Sequence, residues 1–295
     1  MQTKFFSIVV VSLNPGKRLK ETLQSILKQT YNSYEVIIKD GGSTDGSLDF
    51  LEEEKLLDEY PQICLMREKD KSIYDGMNQA LTYVTGQYVQ FLNCGDFFYD
   101  ENVLQKVADF IEEDIKEESA GVISGDAQKS NRRNHRKRSG IPTIYYGNQY
   151  NLLQKSVVTS APQMNDFACY RNVPCHQVCF YDKRLFEKRA YLTKYTVRAD
   201  YEHFLYCVYA ENARTQAMPI VICSYEGGGY SETKENRKKS AAQHKEITSK
   251  YLGKKALKYR LIMLLTFAGL RTKIAESPVL SKPYNAVKNL IYKMK

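Results

Sequence analysis

Residues 36–47, VIIKDGGSTDGS, join a short apolar run to a polar, glycine-rich turn that carries two carboxylates. The branched side chains at the start favour a buried strand of a parallel sheet, and the glycines permit a sharp turn after it. Asp40 is therefore predicted at the carboxyl end of that strand, where open α/β sheets bind their ligands. Because the segment has neither the phosphate-loop lysine nor the spaced dinucleotide glycines, the glycines alone are a weak indication of a nucleotide pocket.

Strand and helix patterns alternate through the first hundred residues. Strands are predicted near residues 7–12, 36–40, 63–67 and 88–92. Asn14 before Pro15 is typical of a helix start, and Ser72 is predicted to cap a later helix. This alternation favours parallel βα units and an α/β fold. Further on, a helix over residues 103–115 and a strand over residues 121–125 are predicted.

Composition places the charge of the chain at its carboxyl end. The 295 residues carry a formal charge of +9, and residues 254–295 hold ten Lys or Arg against one acid. The seven scattered cysteines and the absence of a signal-peptide pattern indicate a reduced, cytoplasmic setting. No apolar run reaches the roughly 18 residues that a membrane-spanning helix needs.

Six ordered segments, which together span residues 7–231, resemble the family 2 glycosyltransferases of the GT-A fold. They are SIVVVSLNPGKRLKETLQSILKQTY, VIIKDGGSTDGS, EKDKSIYDGMNQAL, GQYVQFLNCGD, PCHQVCF and RADYEHFLY. The resemblance implies a Rossmann-like nucleotide-binding half and a mixed central sheet. We expect a GT-A domain over residues 1–230, with a nucleotide-sugar part at 1–98 and an acceptor part at 99–230. A basic amphipathic helical extension is expected over residues 231–295.

The first two strand ends hold the nucleotide in that family. The resemblance therefore implies Ser12 and Asn14 near the ribose and Asp40 on the base, where a carboxylate can accept a hydrogen bond from a ring N–H. Asp45, in the same turn, is a further candidate for nucleotide contact. The alternative is that Asp40 caps a turn and Asp45 caps a helix.

A second set of donor-site candidates lies between the third and fourth strands. The resemblance implies that Asp70, Asp75 and Asn78 belong to a segment that crosses under the nucleotide. Asp75 and Asn78 lie three residues apart, so on a helix they can face one ligand. Alternatively, Asp75 completes a capping box with Ser72.

Asp96 ends the fourth strand, where the family usually places an Asp-x-Asp or Asp-Asp cluster that binds a divalent ion. In this chain Asn93, Cys94 and Gly95 replace the earlier members, so Asp96 is the single acid. Mg²⁺ or Mn²⁺ suits such a site, since both accept few carboxylates when phosphate oxygens and waters complete the octahedron. A zinc site at Cys175, His176 and Cys179 is disfavoured, because a second ligand pair with suitable spacing is missing.

Asp200 occupies the position of the family's catalytic base, near the start of a predicted helix. An inverting transfer needs a carboxylate that takes the proton of the acceptor hydroxyl. The alternative is a first-turn acid that the helix dipole stabilises. Glu202 is a weaker substitute, and the resemblance implies His176 and Gln177 near the donor phosphates or the acceptor.

Two basic regions invite different interpretations. The cluster at residues 132–138 is interpreted as a solvated loop or as a site for an acceptor phosphate, and no nucleic-acid-binding fold accompanies it. Residues 261–270 are rich in leucine and flanked by Lys and Arg, as in helices that rest on anionic lipid. An ordinary packed helix, or contact with a second copy in a homo-oligomer, is the alternative.

We therefore expect a metal-dependent inverting glycosyltransferase. Its donor is a nucleoside diphosphate sugar, UDP-linked by preference, and its acceptor is a hydroxyl of a lipid-linked saccharide. The resemblance implies capsule, exopolysaccharide or O-antigen assembly at the inner face of the cell membrane, with the protein attached peripherally and no nucleic acid bound. The alternative is a non-catalytic GT-A-like module that binds a nucleotide and docks on membrane or nucleic acid through its basic surfaces.

Overall fold

The computed structural model describes residues 4–123, 140–225 and 233–265, together with residues 274, 277, 280 and 282–287. These residues form a mixed α/β fold around one twisted sheet, so the fold class predicted from the alternating pattern is confirmed. The basic cluster at residues 132–138 lies outside the described residues.

The amino-terminal half contains four parallel strands in the order β3-β2-β1-β4. The strands are β1 (Phe6–Ser12), β2 (Tyr34–Asp40), β3 (Ile63–Arg67) and β4 (Tyr88–Phe91), and the helices between them are α1 (Arg18–Leu27), α2 (Asp49–Glu53), α3 (Leu56–Glu59) and α4 (Ile73–Ala80). Ser12 pairs with Asp40 in the register of β1 and β2. Both strands therefore end at the same edge of the sheet, and their loops meet there.

The second half extends the sheet from β4 with strands of mixed direction. In chain order its elements are β5 (Phe97–Phe98), α5 (Val103–Ile123), β6 (Thr143–Asn151), β7 (Ser156–Val158), α6 (Asp166–Arg171), β8 (Cys179–Asp182), α7 (Arg184–Lys188), α8 (Ala199–Tyr209) and β9 (Arg214–Tyr225). Strand β8 runs antiparallel to β4, and the order continues through β6 and β9 to β5, with β7 paired to β6. The change from parallel to mixed pairing beside β4 opens the crevice in which α/β sheets place ligands.

Two helices follow the sheet, α9 (Lys234–Leu252) and α10 (Lys254–Leu265). Helix α9 packs against α8 and α6, and His244 donates a hydrogen bond of 2.7 Å to the Tyr170 carbonyl. Helix α10 rests on α6 through Tyr259, whose ring contacts Phe167 and Tyr170. Within the described ranges, no helix has both the length and the hydropathy that crossing a bilayer requires.

The structure corrects two local predictions. Helix α1 begins at Arg18, because Asn14 has a left-handed backbone (φ 47°) and its side chain accepts a hydrogen bond from the Thr44 amide instead of capping a helix. Helix α5 continues to Ile123, so the strand predicted over residues 121–125 is wrong at its first three positions. The Ala- and Glu-rich turns before Gly121 propagate the helix, and tertiary context outweighs the short branched run that suggested a strand.

Candidate active site

A cleft of about 660 Å³ lies at the carboxyl ends of β1 and β4, beside the amino-terminal end of α8. Residues from eight separate parts of the chain line it, from the end of β1 to helix α9. Six residues predicted for the site are among them: Ser12, Asn14, Asp96, His176, Gln177 and Asp200. The cleft therefore brings the predicted metal ligand and the predicted base to one solvent-accessible space.

Asp200 lies in the first turn of α8 and is held by two side chains from elsewhere in the chain. Its Oδ1 accepts a hydrogen bond of 2.9 Å from the Tyr74 hydroxyl, and its Oδ2 lies 3.2 Å from His176 Nδ1. His176 Nε2 in turn lies 3.0 Å from the amide nitrogen of Asn93. Asn93 and Asp200 thus hold the two ring nitrogens of His176 from opposite sides.

These contacts set the ionisation of Asp200. Burial acts to raise its pKa, but the hydrogen bond and the positive potential from His176, together with the hydrogen bond from Tyr74, outweigh burial and lower the pKa below its usual value. The carboxylate is thus ionised at neutral pH, and its side chain stays 24% exposed to the cleft. An ionised, hydrogen-bonded and accessible carboxylate is suited to accept a proton.

Asp96 lies in the turn after β4 and is almost fully buried. Its Oδ2 accepts a hydrogen bond of 3.0 Å from Gln177 Nε2. His176 and Gln177 are consecutive residues of one 3₁₀ turn (His176–Val178), so this turn holds Asp200 with one side chain and Asp96 with the next. The two acids, 104 positions apart in the sequence, are therefore linked through a dipeptide.

The acids and thiols around the cleft do not form a metal site by themselves. Among the residues that the structure describes, no group of three or more His, Cys, Asp or Glu side chains could hold a metal ion. Burial raises the pKa of Cys94 and of Cys175 to about 12, so both remain neutral thiols and poor ligands. The carboxylate of Asp96 offers a hard oxygen, which fits Mg²⁺ or Mn²⁺ when a diphosphate and waters supply the other ligands.

Asp40 does not line the large cleft. Its Oδ2 accepts hydrogen bonds from the amides of Gly42 (3.0 Å) and Ser43 (2.9 Å), so the carboxylate caps the turn after β2. The side chain borders a second cavity of about 250 Å³ between this turn and the end of β3. The contacts of Asp40 thus match the turn-capping alternative, and they leave some of its oxygen lone pairs unused.

Asp45 is exposed and ties together the loops after β1 and β2. Its two oxygens accept hydrogen bonds from the amides of Ser47 (3.1 Å) and Gly16 (3.0 Å). The Ser47 side chain first, and then these amides, lower the pKa of Asp45. Asn14 adds two bonds between the same loops, from its amide to Ser43 Oγ and from the Thr44 amide to its Oδ1. Together these contacts form the wall of the cleft on the β1 side.

Asp70 forms an ion pair with Lys39 beneath this wall. Lys39 Nζ is completely buried and lies 3.0 Å from Asp70 Oδ2, while it also donates to the carbonyls of Asp40 and Glu68. Gly41 leaves the space for this carboxylate, because a Cβ at that position would lie 2.7 Å from Asp70 Oδ2. Asp70 therefore supports the turn from below and does not reach the cleft.

Three further predicted residues have structural partners and do not line the cleft. Asp75 accepts from the Lys71 amide while Ser72 Oγ accepts from the Asp75 amide, which is the helix-capping alternative. Asn78 exchanges two hydrogen bonds of 2.9 Å with the backbone of Tyr191. Glu202 is fully buried; burial opposes its ionisation, but Arg189, Tyr251 and Lys250 hold its pKa below the usual value.

The sequence patterns did not identify several residues around Asp200. Tyr74 lies 126 positions from Asp200, and Ser240 reaches the cleft from helix α9. Arg198 also lines the cleft, and its Nε donates to Ser240 Oγ over 2.8 Å. Tyr74 and Ser240 lie too far from Asp200 along the chain to produce a short-range pattern, so only the folded chain reveals them. Arg198 lies two positions before Asp200 in a quoted segment, but no role was assigned to it.

Comparison with known proteins places this geometry in a family. Residues 7–173 match the family model described as glycosyl transferase family 2. The chain is 30% identical over 243 residues to a "PGL/p-HBAD biosynthesis glycosyltransferase" of Mycobacterium bovis, which covers 79% of this chain and 81% of that relative.

Two solved structures share the fold. TarS 1–349 of S. aureus in complex with UDP-GlcNAc has a TM-score of 0.56 at 17% identity, covering 84% of this chain and 71% of that one. The mannosyltransferase PcManGT of Pyrobaculum calidifontis in complex with GDP-Man and Mn²⁺ has a TM-score of 0.57 at 14% identity, covering 98% and 79%. The resemblance inferred from the sequence is thereby confirmed, and the chain belongs to glycosyl transferase family 2, with a GT-A fold.

Proposed function

We propose that the protein is an inverting glycosyltransferase that moves a sugar from a UDP-sugar to a hydroxyl of a lipid-linked saccharide. The observation that carries this proposal is the cleft shared by Asp96 and Asp200, with His176 and Gln177 bridging the two acids. Family membership supports glycosyl transfer as the reaction class. The TarS complex supports a UDP-linked donor, and the named role of the mycobacterial relative supports a place in cell-surface glycan assembly, with capsule, exopolysaccharide or O-antigen as the candidate products.

In the proposed reaction Asp200 is the general base. Its carboxylate takes the proton of the acceptor hydroxyl as that oxygen forms a bond to the anomeric carbon. The bond between the anomeric carbon and the diphosphate breaks, and its electron pair leaves with the nucleoside diphosphate. Tyr74 and His176 each occupy one lone pair of Asp200, and a carboxylate offers about four, so acceptor sites remain for the proton.

Asp96 would hold the divalent ion. Mn²⁺ or Mg²⁺, when bound there with the diphosphate, supplies the charge that stabilises the leaving group. Gln177 donates to Oδ2 of Asp96 and helps to orient this carboxylate. The buried Ser12 Oγ and Gln177 Oε1 have no hydrogen-bond partner among the described residues, so both are available to the donor.

The nucleotide would lie along the loops after β1 and β2. Ser12 and Asn14 are assigned to the ribose, and Asp40 to the base through the lone pairs that its turn leaves unused. Asp45 and Asp70 act by holding these loops in place. Asp75 and Asn78 stabilise α4 and its contact with Tyr191, and Glu202 is assigned no direct part in the transfer.

The experiment that tests the proposal is nucleoside diphosphate release with a panel of UDP- and GDP-sugars, with and without Mn²⁺. We expect turnover with a UDP-sugar that falls by about 10³-fold in Asp200→Asn, while nucleotide affinity is retained, because loss of a general base costs about 10²–10⁴-fold. Normal turnover in that variant would remove Asp200 from the mechanism. Nucleotide binding without turnover of any donor would favour the non-catalytic binding module.

The acceptor proposal includes attachment to a membrane through α10. Four leucines of this helix, Leu257, Leu261, Leu264 and Leu265, are between 57% and 73% exposed. Their spacing places them on one side of the helix, opposite Tyr259, which packs on α6. Lys258 and Arg260 fall on the two flanks of the leucine row, and Lys254 lies in line with the row at the start of the helix, as in helices that lie on anionic lipid.

Vesicle flotation tests this attachment. Deleting residues 254–295 keeps α9, which packs against α8 and α6, and should abolish binding to vesicles that contain phosphatidylglycerol. Replacing Leu257, Leu261 and Leu264 by Ser should have the same effect in the full chain, whereas neutral phosphatidylcholine vesicles should bind the wild type weakly at most. Undiminished flotation of the deletion variant would reject attachment through this region, and a concentration-dependent dimer that the leucine changes dissociate would indicate a second copy as the occupant.

A further inference from the structure

One face of helix α9 holds the segment that leads into α8. Along this face Glu246 accepts from the Tyr195 hydroxyl and from Lys194, and Lys250 forms an ion pair of 2.9 Å with buried Glu202. One turn before Glu246 on this face lies Gln243, whose amide group faces the loop immediately before α8. The helix that the sequence assigns to a separate extension is therefore attached to the acceptor side of the cleft.

The side chain of Gln243 makes three hydrogen bonds to three consecutive residues. Its Oε1 accepts from the backbone amides of Val197 and Arg198, both over 3.1 Å, and its Nε2 donates to Thr196 Oγ1 over 3.2 Å. Arg198 is the N-cap residue of α8, and its own side chain makes no capping bond. Gln243 thus binds the amide of the N-cap residue and the amide of the residue before it, and so holds the chain where it enters α8.

The same turn is held from its other side by Tyr74. The Tyr74 hydroxyl lies 3.1 Å from the Val197 carbonyl and 2.9 Å from Asp200 Oδ1. The residues from Val197 to Asp200 are therefore clamped between helix α4 and helix α9. Because Asp200 is two residues from the amides that Gln243 binds, any shift of this turn changes where its carboxylate points.

We propose that Gln243 is a positioning residue for Asp200, and that α9 is consequently a working part of the active site. This inference rests on the proposed function, in which Asp200 is the base. A base must lie within hydrogen-bond reach of the hydroxyl that it deprotonates, and a displacement of about 1 Å can cost about 10²-fold in rate. The hydrogen bonds of Gln243 hold the backbone at Val197 and Arg198 in place, and so keep the carboxylate of Asp200 within reach of the acceptor hydroxyl.

The test compares Gln243→Leu, Gln243→Glu and Glu246→Leu in the full chain. Gln243→Leu removes both acceptor contacts and should lower kcat by about 10–100-fold, with the donor KM within about twofold of wild type. Gln243→Glu keeps an oxygen that accepts from both amides and should recover kcat to within about threefold. Glu246→Leu removes a contact from the same helix face, whose partners Lys194 and Tyr195 lie six and five residues before Asp200, and should change kcat by less than about twofold.

Hydrogen exchange of the peptide that contains residues 194–202 gives a readout that does not depend on turnover. Gln243→Leu should accelerate exchange at the amides of Val197 and Arg198, and Gln243→Glu should restore their protection. Wild-type kcat in Gln243→Leu, an equal loss in Glu246→Leu, or no recovery in Gln243→Glu would each overturn the proposal. If the wild type turns over no donor at all, the proposed function fails, while unaltered exchange in Gln243→Leu would instead refute the contact itself.

Discussion

The two halves of the sheet hold their acidic side chains in different ways. Around β1, β2 and β3, Asp40 and Asp45 accept from backbone amides of adjoining loops, and Asp70 pairs with a buried lysine. Around β4 and α8, Asp96 and Asp200 accept from side chains that come from distant parts of the chain. The acids of the first half are held by their own loops outside the large cleft, whereas those of the second half line this cleft.

This difference separates acids that build the site from acids that can act in it. A carboxylate whose oxygens are held by turn amides stabilises a loop conformation, and its removal is felt as lost stability. A carboxylate held by side chains at the rim of a cleft retains lone pairs toward a ligand. Position at a strand end is common to both classes, so position alone does not identify the residues that carry the chemistry.

The largest stability effect is expected at the ion pair below the first half. Asp70→Asn leaves the Lys39 ammonium, which is fully buried, without its carboxylate, and we expect a loss of about 3–5 kcal/mol in the free energy of unfolding. Urea denaturation at pH 7 measures this loss. The double variant Lys39→Met with Asp70→Asn should recover part of it, since no unpaired charge remains. An unchanged urea midpoint with a raised donor KM would place Asp70 among the acids that bind ligand.

Asp96→Asn should lower activity with little change in stability, which is the opposite of the effect expected for Asp70→Asn. Removing the carboxylate that is proposed to hold the metal should lower kcat by about 10²-fold or more, because stabilisation of the leaving group is lost. Since Asn has nearly the same shape, the urea midpoint should remain close to that of the wild type. Asp75→Asn is the matched control from the first half, and its kcat should stay near the wild-type value. A large loss of stability without a loss of kcat in Asp96→Asn would erase the distinction between the two halves.

The buried face of α8 provides a pH-dependent test. His203 is fully buried, and Nε2 has no hydrogen-bond partner within the described ranges, so burial lowers its pKa to about 3. Above the unfolded value of about 6.5 both states are neutral, and below it only the unfolded chain binds the proton, so stability falls as the pH falls. The expected loss from this residue is about 2 kcal/mol between pH 7 and pH 5.

His203→Phe should remove this part of the pH dependence, because a phenyl ring fits among the aromatic neighbours Phe186 and Tyr191 and binds no proton. Urea denaturation at pH 7, 6 and 5 compares the two proteins, and His244 is retained in both. Equal slopes would mean that His203 is protonated in the folded chain. That outcome would show that the folded protein tolerates a charged imidazole on the buried face of α8.

The smallest effect is expected where two loops of the first half meet. Asn14→Gly keeps the left-handed backbone but loses the hydrogen bond from the Thr44 amide, which is worth about 1 kcal/mol. We expect the donor KM to rise about fivefold with kcat unchanged, as measured by steady-state kinetics. Asn14→Ala should be worse, since alanine disfavours this backbone conformation. A fall in kcat alone would mean that this loop takes part in the chemical step.

Much of the fold and part of the site could be predicted from the sequence. The parallel strands, the cap at Ser72 and the placement of Asp96 at a strand end follow from local periodicity and short motifs, which depend on neighbouring residues. Two local predictions were wrong: the helix start after Asn14, and the strand at residues 121–123. In both places the local sequence is compatible with more than one backbone conformation, and contacts with other parts of the chain select the observed one. Tyr74 and Gln243 were missed, since their partners lie 126 and 45 or more positions away.

By itself the sequence determined the α/β class, the family and the set of acids from which a site can be built, because backbone preferences and ordered motifs are written in consecutive residues. Only the tertiary structure decided which of these acids share a cleft. Loop amides occupy the oxygens of some of these carboxylates, while others remain accessible from the cleft. Such contacts join residues that are far apart along the chain, so no short sequence pattern predicts them. The tertiary structure also attached α9 to the turn before Asp200, since the partners of a buried amide are set by packing and not by sequence proximity.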